Sequence, residues 1–190
     1  MGVPLNTRRI TRPLYIWEAS LARMIFGRAL QISNIRIHEL AAWPDTIDDW
    51  GRKLKGIPPR QPSAHNAITL GNAIFFPVGM PVDQPERDDP EWYKLPWLIH
   101  ELTHCWQFQT IGLGYIWLAL QAQFREKANV YDFGGASNLH NMRNQGWNIK
   151  NFNLEQQGNI TQAFFCASLD LPNQQDLYAA CRPFIEDIQT

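Results

Sequence analysis

The sequence predicts an α+β fold in a single domain. Short segments with strand character come first along the chain, and longer segments with helical periodicity follow them. The 190 residues suit one domain, and 45% of them are hydrophobic, which is enough to build a core. We therefore expect one domain over residues 1–190, with residues 1–15 as an N-terminal arm.

The first elements of the N-terminal half follow from their apolar spacing. Residues 17–30 carry apolar side chains near helical spacing, which predicts an amphipathic helix. Residues 34–40 alternate and predict a strand. Residues 44–64 are rich in Pro, Gly and charge, so we expect a loop with one short helix over about 47–54.

A β-hairpin is predicted over residues 67–77. Gly71 and Asn72 tolerate the positive φ angles of a tight turn, and apolar residues flank them on both sides. Residues 78–92 contain several prolines and predict a loop near the functional site.

The C-terminal half is predicted to be mainly helical. One helix begins near Pro96, because proline is tolerated in a first helical turn. Further helices are expected over 113–128, 153–169 and 173–189. The Gly- and Asn-rich residues 131–151 predict a second loop near the site.

Composition excludes several classes of protein. The 17 basic residues nearly balance 18 acidic ones, which does not indicate a nucleic-acid or membrane-surface binder. Three cysteines without close pairing indicate reduced thiols. No secretory signal peptide is visible, and the apolar run at 111–120 is too short for a membrane span. We expect a protein that is cytoplasmic in the producing cell.

The segment WLIHELTHCWQFQ contains the motif H-E-x-x-H, formed by His100, Glu101 and His104. Residues four apart lie on one face of a helix, so both histidines can bind one ion, and zinc suits imidazole ligands. Glu101 lies beside them and would act as general base toward zinc-bound water. The alternative is a chance pattern, but Glu and two His are costly in so apolar a helix unless they serve a purpose.

A catalytic zinc ion needs a third protein ligand. Glu155 at the start of a later predicted helix is the preferred candidate, and His140 in a predicted loop is its rival. Asn159, four residues after Glu155, could hold a ligand histidine through its free N–H. The alternative for Glu155 is an acid that is favoured at a helix N-terminus by the helix dipole.

A hydrolase also needs a group that stabilises the oxyanion. Tyr131, His140 and Arg143 lie before Glu155 and could supply it, although a structural or solvated role explains each of them as well. For His38 we prefer a structural role in its strand.

Several phrases of the sequence, in order along the chain, resemble one known family. They are Phe26-Gly27, Ile35–His38, Thr69–Phe76, Leu98–Gln107 and Glu155–Gln157. This set is similar to that of the gluzincin-like metallopeptidases found in bacterial contractile-injection, type VI secretion (Vgr-related) and polymorphic-toxin loci. The match runs from residue 20 to about residue 165, and Cys105 stands where the family usually has Val.

The resemblance implies a zincin-like fold, a Zn²⁺ cofactor and hydrolysis of peptide bonds. The expected partner is a peptide or protein substrate, such as a neighbouring toxin, a secretion component or a peptidoglycan peptide. Export by a contractile secretion system would fit such loci. Two alternatives stay open. One is a non-catalytic adaptor or cargo domain with a structural or degenerate metal site, and the other is a hydrolase of non-peptide amides or esters.

Overall fold

The computed structural model describes residues 10–46, 58, 66–112 and 132–190. These residues form a small sheet and a set of helices, so the mixed α+β class and the mainly helical C-terminal half are confirmed. The strands are β1 (Ile10–Arg12), β2 (Arg36–Glu39), β3 (Ile68–Leu70) and β4 (Ala73–Phe75).

The α-helices lie mostly after the sheet. They are α1 (Ile16–Phe26), α2 (Lys94–Ile111), α3 (Gly135–Asn144), α4 (Leu154–Ser168) and α5 (Leu171–Gln189). Short 3-10 helices span Ile32–Asn34 and Ile149–Asn151, and residues 43–46 are also helical.

The four strands run in the order β1-β2-β4-β3. β2 and β4 are parallel, while β1 and β3 pair antiparallel with their neighbours. The side chains alternate as the strand prediction requires: Ile37 and Ile74 are buried in the core, whereas His38 stacks on Phe75 on the other face. The predicted hairpin is confirmed, with Gly71 at a φ of 66° in its turn.

The structure corrects the predicted N-terminal arm, because residues 10–12 form an edge strand of the sheet. Arg12 is buried, and its guanidinium bonds to both oxygens of Glu18 at 2.6 and 2.9 Å. Its Nε donates to Glu39 at 2.5 Å. Buried carboxylates need such partners, and these bonds hold β1 against β2 and α1. Residues 1–9 lie outside the described residues.

Helix α1 ends earlier than the predicted boundary at residue 30. Gly27 adopts a φ of 54°, which a residue with a side chain seldom does, and the helix stops before it. Gln189 of α5 donates to the carbonyls of Met24 and Ile25, which are among the last carbonyls of α1. Leu30 is still buried, although it lies beyond the helix.

Helices α2 and α4 approach each other very closely. A Cβ atom on Gly158 would lie 2.6 Å from Cε1 of His100. One turn further along, the hydroxyl oxygens of Thr103 and Thr161 are 2.6 Å apart. Because Gly158, Thr103 and Thr161 are small, the two helices lie close enough for side chains of both to form the predicted site.

The predicted loop over 131–151 is wrong for its central part, which is helix α3. Asn and Gly have low helix propensity, but tertiary contacts outweigh it here. Leu139 is completely buried, and Arg143 forms a forked ion pair with Asp187 of α5 at 2.8 and 3.1 Å. The helix therefore forms because it packs on α5.

The remaining predictions divide into three groups. The helices predicted over 153–169 and 173–189 are confirmed as α4 and α5, and Pro96 lies in the first turn of α2. Residues 78–92 contain no regular element, as predicted. The helices predicted over 47–54 and 113–128 lie outside the described residues. Within the described part of the chain, no helix is long and apolar enough to cross a membrane.

Candidate metal centre

Helix α2 places both motif histidines on one buried face. His100 and His104 are one helical turn apart, and their ring centroids are 4.9 Å from each other. Both side chains are about nine-tenths buried. Helix α4 packs against this face, since a Cβ atom on Gly158 would lie 2.6 Å from Cε1 of His100.

Glu155 completes the cluster from α4. It is the second residue of that helix, and Asn153 caps the helix by accepting a hydrogen bond from the N–H of Gln156 at 2.8 Å. Oε2 of Glu155 lies 3.2 Å from Nε2 of His100 and 3.7 Å from Nε2 of His104. The structure thus brings Glu155 to the two histidines. Among the described residues, His100, His104 and Glu155 form the group able to hold a metal ion.

The donor set and its spacing fit zinc. Two ligand atoms bound at about 2.0–2.2 Å to a tetrahedral ion are about 3.3–3.6 Å apart. This is close to the 3.2 and 3.7 Å between Oε2 of Glu155 and the Nε2 atoms of His100 and His104. Two imidazoles and one carboxylate form a three-ligand set that is typical of catalytic zinc sites, which keep a fourth position open.

The electrostatics of the cluster favour a bound cation. Burial alone would raise the pKa of Glu155, but hydrogen bonds and charge from His100 and His104 outweigh it and lower that pKa. Burial opposes charge on His104, yet the hydrogen bond and negative charge of Glu155 raise its pKa. A positive charge next to the Glu155 carboxylate therefore stabilises its ionised form.

Glu101 lies beside the cluster and has a partner that the sequence did not reveal. Its carboxylate is buried, and the hydroxyl of Thr69 donates to Oε2 at 2.7 Å. Thr69 is the buried central residue of β3, the edge strand next to α2. The sequence signal that could have revealed Thr69 is a polar residue on the inner face of a predicted strand.

A second partner that sequence reasoning missed is Gln107. Its Oε1 lies 2.8 Å from Nδ1 of His104, and its Nε2 donates to the carbonyl of Leu154 and to Oε1 of Gln157. The three-residue spacing on α2 was the available signal, since residues three apart share a helix face. Asn159 was predicted to hold a ligand histidine, and that role stays a prediction.

Two of the predicted oxyanion residues, His140 and Arg143, contact helix α5. Nε2 of His140 is 3.2 Å from Asp176 of α5 and is half exposed. Arg143 pairs with Asp187, also on α5. These contacts support structural roles for both residues, and Tyr131 lies outside the described residues. His38 bonds through Nδ1 to the hydroxyl of Thr11 at 3.0 Å, in agreement with the structural role preferred for it.

No protein-family model matches the chain, and comparisons with curated proteins and with solved structures found no significant match.

Proposed function

We propose that this protein is a zinc-dependent hydrolase, and specifically a metallopeptidase of the gluzincin type. The observation that carries the proposal is the meeting of three side chains from two helices. Glu155 is far from the H-E-x-x-H motif in sequence, yet its Oε2 lies within 3.7 Å of Nε2 of both motif histidines. A zincin-like arrangement of sheet and active-site helix belongs to the same proposal.

His100 and His104 would hold the zinc ion through Nε2, and Glu155 through its carboxylate. When bound, zinc polarises a carbonyl group and makes water more acidic. Glu101 would accept a proton at its carboxylate, whose orientation Thr69 fixes through Oε2. His100, His104 and Glu101 are buried and the side chain of Glu155 is largely covered, which strengthens their electrostatic interactions.

The resemblance of the sequence motifs supports the substrate class. It points to peptide or protein substrates, among them a neighbouring toxin, a secretion component or a peptidoglycan peptide. A contractile secretion system would then export the protein. The site chemistry by itself also suits other amide and ester bonds, so a substrate panel is part of the test.

The first part of the test measures zinc in the purified protein. We expect near-stoichiometric zinc in the wild type and a large loss in Glu155→Ala, because one of three ligands is removed. Glu186→Ala is the matched control, since Glu186 is exposed on α5 and pairs with Arg182. Equal zinc content in both variants and the wild type would place the third ligand elsewhere.

The second part measures turnover of casein, muropeptides and esters. Glu101→Gln should retain zinc and the fold but lose at least about a hundredfold in rate, because a general base contributes about 10²–10⁴-fold. Glu86→Gln, an exposed acid in the loop before α2, is the control. Zinc binding without turnover of any substrate in the wild type would favour the adaptor alternative.

A further inference from the structure

We infer that Gln107 is a positioning residue that fixes the tautomer of His104 and thereby aims the lone pair of its Nε2 at the metal position. The assignment of the tautomer follows from hydrogen bonds alone. Its consequence for zinc binding rests on the proposed function.

The orientation of both amides can be worked out from backbone carbonyls, which only accept hydrogen bonds. Gln157 places its Nε2 2.8 Å from the carbonyl of Phe152, so its Oε1 faces Gln107. The Nε2 of Gln107 lies 2.9 Å from the carbonyl of Leu154 and 2.9 Å from that Oε1. Both of its hydrogens are thus used, and neither amide can be flipped without losing bonds.

It follows that the oxygen of Gln107 faces Nδ1 of His104, at 2.8 Å. An amide oxygen cannot donate, so Nδ1 must carry the hydrogen. Neutral His104 therefore keeps its lone pair on Nε2, which is the nitrogen on the Glu155 side. Zinc binds imidazole through this lone pair.

The same network also sets the distance between ligands from different helices. Gln107 belongs to α2, whereas its partners Leu154 and Gln157 flank Glu155 in the first turn of α4. Gln107 is completely buried and Gln157 nearly so. Among the described residues, no buried side-chain nitrogen or oxygen lacks a partner. The buried polar atoms of the network therefore all have partners, and their hydrogen bonds fix the position of His104 relative to Glu155.

An amide oxygen rather than a carboxylate accepts the hydrogen bond from Nδ1 of His104. A neutral acceptor fixes the ring without adding a further negative charge to those of Glu155 and Glu101. The carboxylate of Glu155 lies within 3.7 Å of Nε2 of both histidines.

A cavity of about 320 Å³ lies next to the network, and the choice of variants that test the role of Gln107 depends on it. Gln107 and Gln157 line this cavity together with Trp106 and Phe152. Water could enter from it and replace the amide in a truncated Ala variant. Gln107→Met is the better choice, because it keeps the volume while it removes both acceptor and donor.

The tautomer is read directly from the ring nitrogens of His104. Long-range ¹H–¹⁵N spectra of the metal-free wild type should show hydrogen on Nδ1 and a lone pair on Nε2, at an alkaline pH where the ring is neutral. Gln107→Met should show a mixture of both tautomers. A wild-type spectrum with hydrogen on Nε2 would overturn the inference.

Zinc affinity separates positioning from mere support of the fold. Removing a partner of this kind costs about 10–100-fold in metal affinity, and we expect Gln107→Met to show that loss. Gln107→Glu keeps an acceptor for Nδ1 but leaves two carbonyl oxygens without a donor. It should lower the melting temperature and yet bind zinc more tightly than Gln107→Met.

The matched control is Gln109→Met on the same helix. Gln109 also makes three hydrogen bonds, but to Gln31 and Asn72 on the sheet side. It should bind zinc like the wild type. Equal affinity in Gln107→Met and Gln109→Met would overturn the positioning role. If the wild type itself binds no zinc, the proposed function fails, and the spectrum of the metal-free protein still tests the tautomer.

Discussion

Thr69 gives the proposed base one defined orientation. Its hydroxyl bonds to Oε2 of Glu101 at 2.7 Å and approaches the backbone carbonyl of the same residue at 3.3 Å. A carboxylate held at one oxygen presents the other oxygen for proton transfer. Because Thr69 belongs to the edge strand β3, this bond joins the sheet to helix α2.

We predict that Thr69→Val lowers turnover by about 10–100-fold while zinc content stays unchanged. The loss corresponds to one hydrogen bond to a charged group, worth about 1.5–3 kcal/mol. Steady-state kinetics on the best substrate of the panel measures it. Thr11→Val is the control, because Thr11 bonds to His38 on the outer face of the sheet. Identical rates for both variants would show that Thr69 does not orient the base.

At the residue scale, the motif alone predicts His100, Glu101 and His104, because their spacing on one helix is local. Glu155 was predictable as the acid at the start of a later helix. In the structure its Oε2 lies 3.2 Å from Nε2 of His100 and 3.7 Å from Nε2 of His104. Thr69 and Gln107 were missed as site residues. Their roles depend on which strand and which helix turn come to lie beside α2, and sequence spacing does not carry that information.

At the scale of elements, the crossing of α2 and α4 determines the geometry of the cluster. His100 and His104 lie on α2 and Glu155 lies on α4, so a change in the separation of the helices changes the distance between Glu155 and the histidines. Gly158 lies directly against the ring of His100, which leaves no room for a side chain.

We predict that Gly158→Ala destabilises the protein and weakens zinc binding. Helix propensity alone would favour Ala by about 1 kcal/mol. Here the added Cβ would lie 2.6 Å from Cε1 of His100, and overpacking costs about 1–3 kcal/mol. Thermal unfolding and zinc competition with a chelator measure both effects. Gln162→Ala on the same helix is the control, and a gain in stability for Gly158→Ala would contradict the close crossing.

The elements differ in how well local pattern predicts them. The hairpin and helices α4 and α5 were predictable because apolar spacing and turn residues agree with the fold. Helix α3 was not, since its Asn- and Gly-rich sequence disfavours a helix. The buried Leu139 and the contacts of His140 and Arg143 with α5 hold it in place. Strand β1 was missed because three residues give too short a pattern, and its place depends on the buried Arg12.

At the scale of the whole molecule, one core joins the inner face of the sheet to helices from both halves of the chain. Cys105 of α2 and Cys181 of α5 both lie in it with no exposed surface. Burial raises the pKa of Cys181 to about 12. Burial and the negative charge of Glu101 also raise the pKa of Cys105.

We predict that neither core thiol reacts with iodoacetamide at pH 8 until the whole domain unfolds. Only the thiolate reacts, and a pKa of about 12 leaves about one thiolate in ten thousand at that pH. Alkylation followed by mass spectrometry across a urea series measures the reaction. A Cys166→Ser background removes the partly buried third thiol. Labelling of Cys105 well before the loss of circular dichroism would show that α2 opens separately.

The hydrogen bonds from Gln189 to the end of α1 cannot form until Gln189 has been synthesised. The carbonyls of Met24 and Ile25 receive their donor from a residue that is made about 165 positions later. At about 5–20 residues per second, the nascent segment waits roughly 10–30 s for that partner. The ribosome also delivers His100 and His104 before Glu155. The contact between α5 and the end of α1 therefore forms only after Gln189 has been made, and the cluster of His100, His104 and Glu155 only after Glu155.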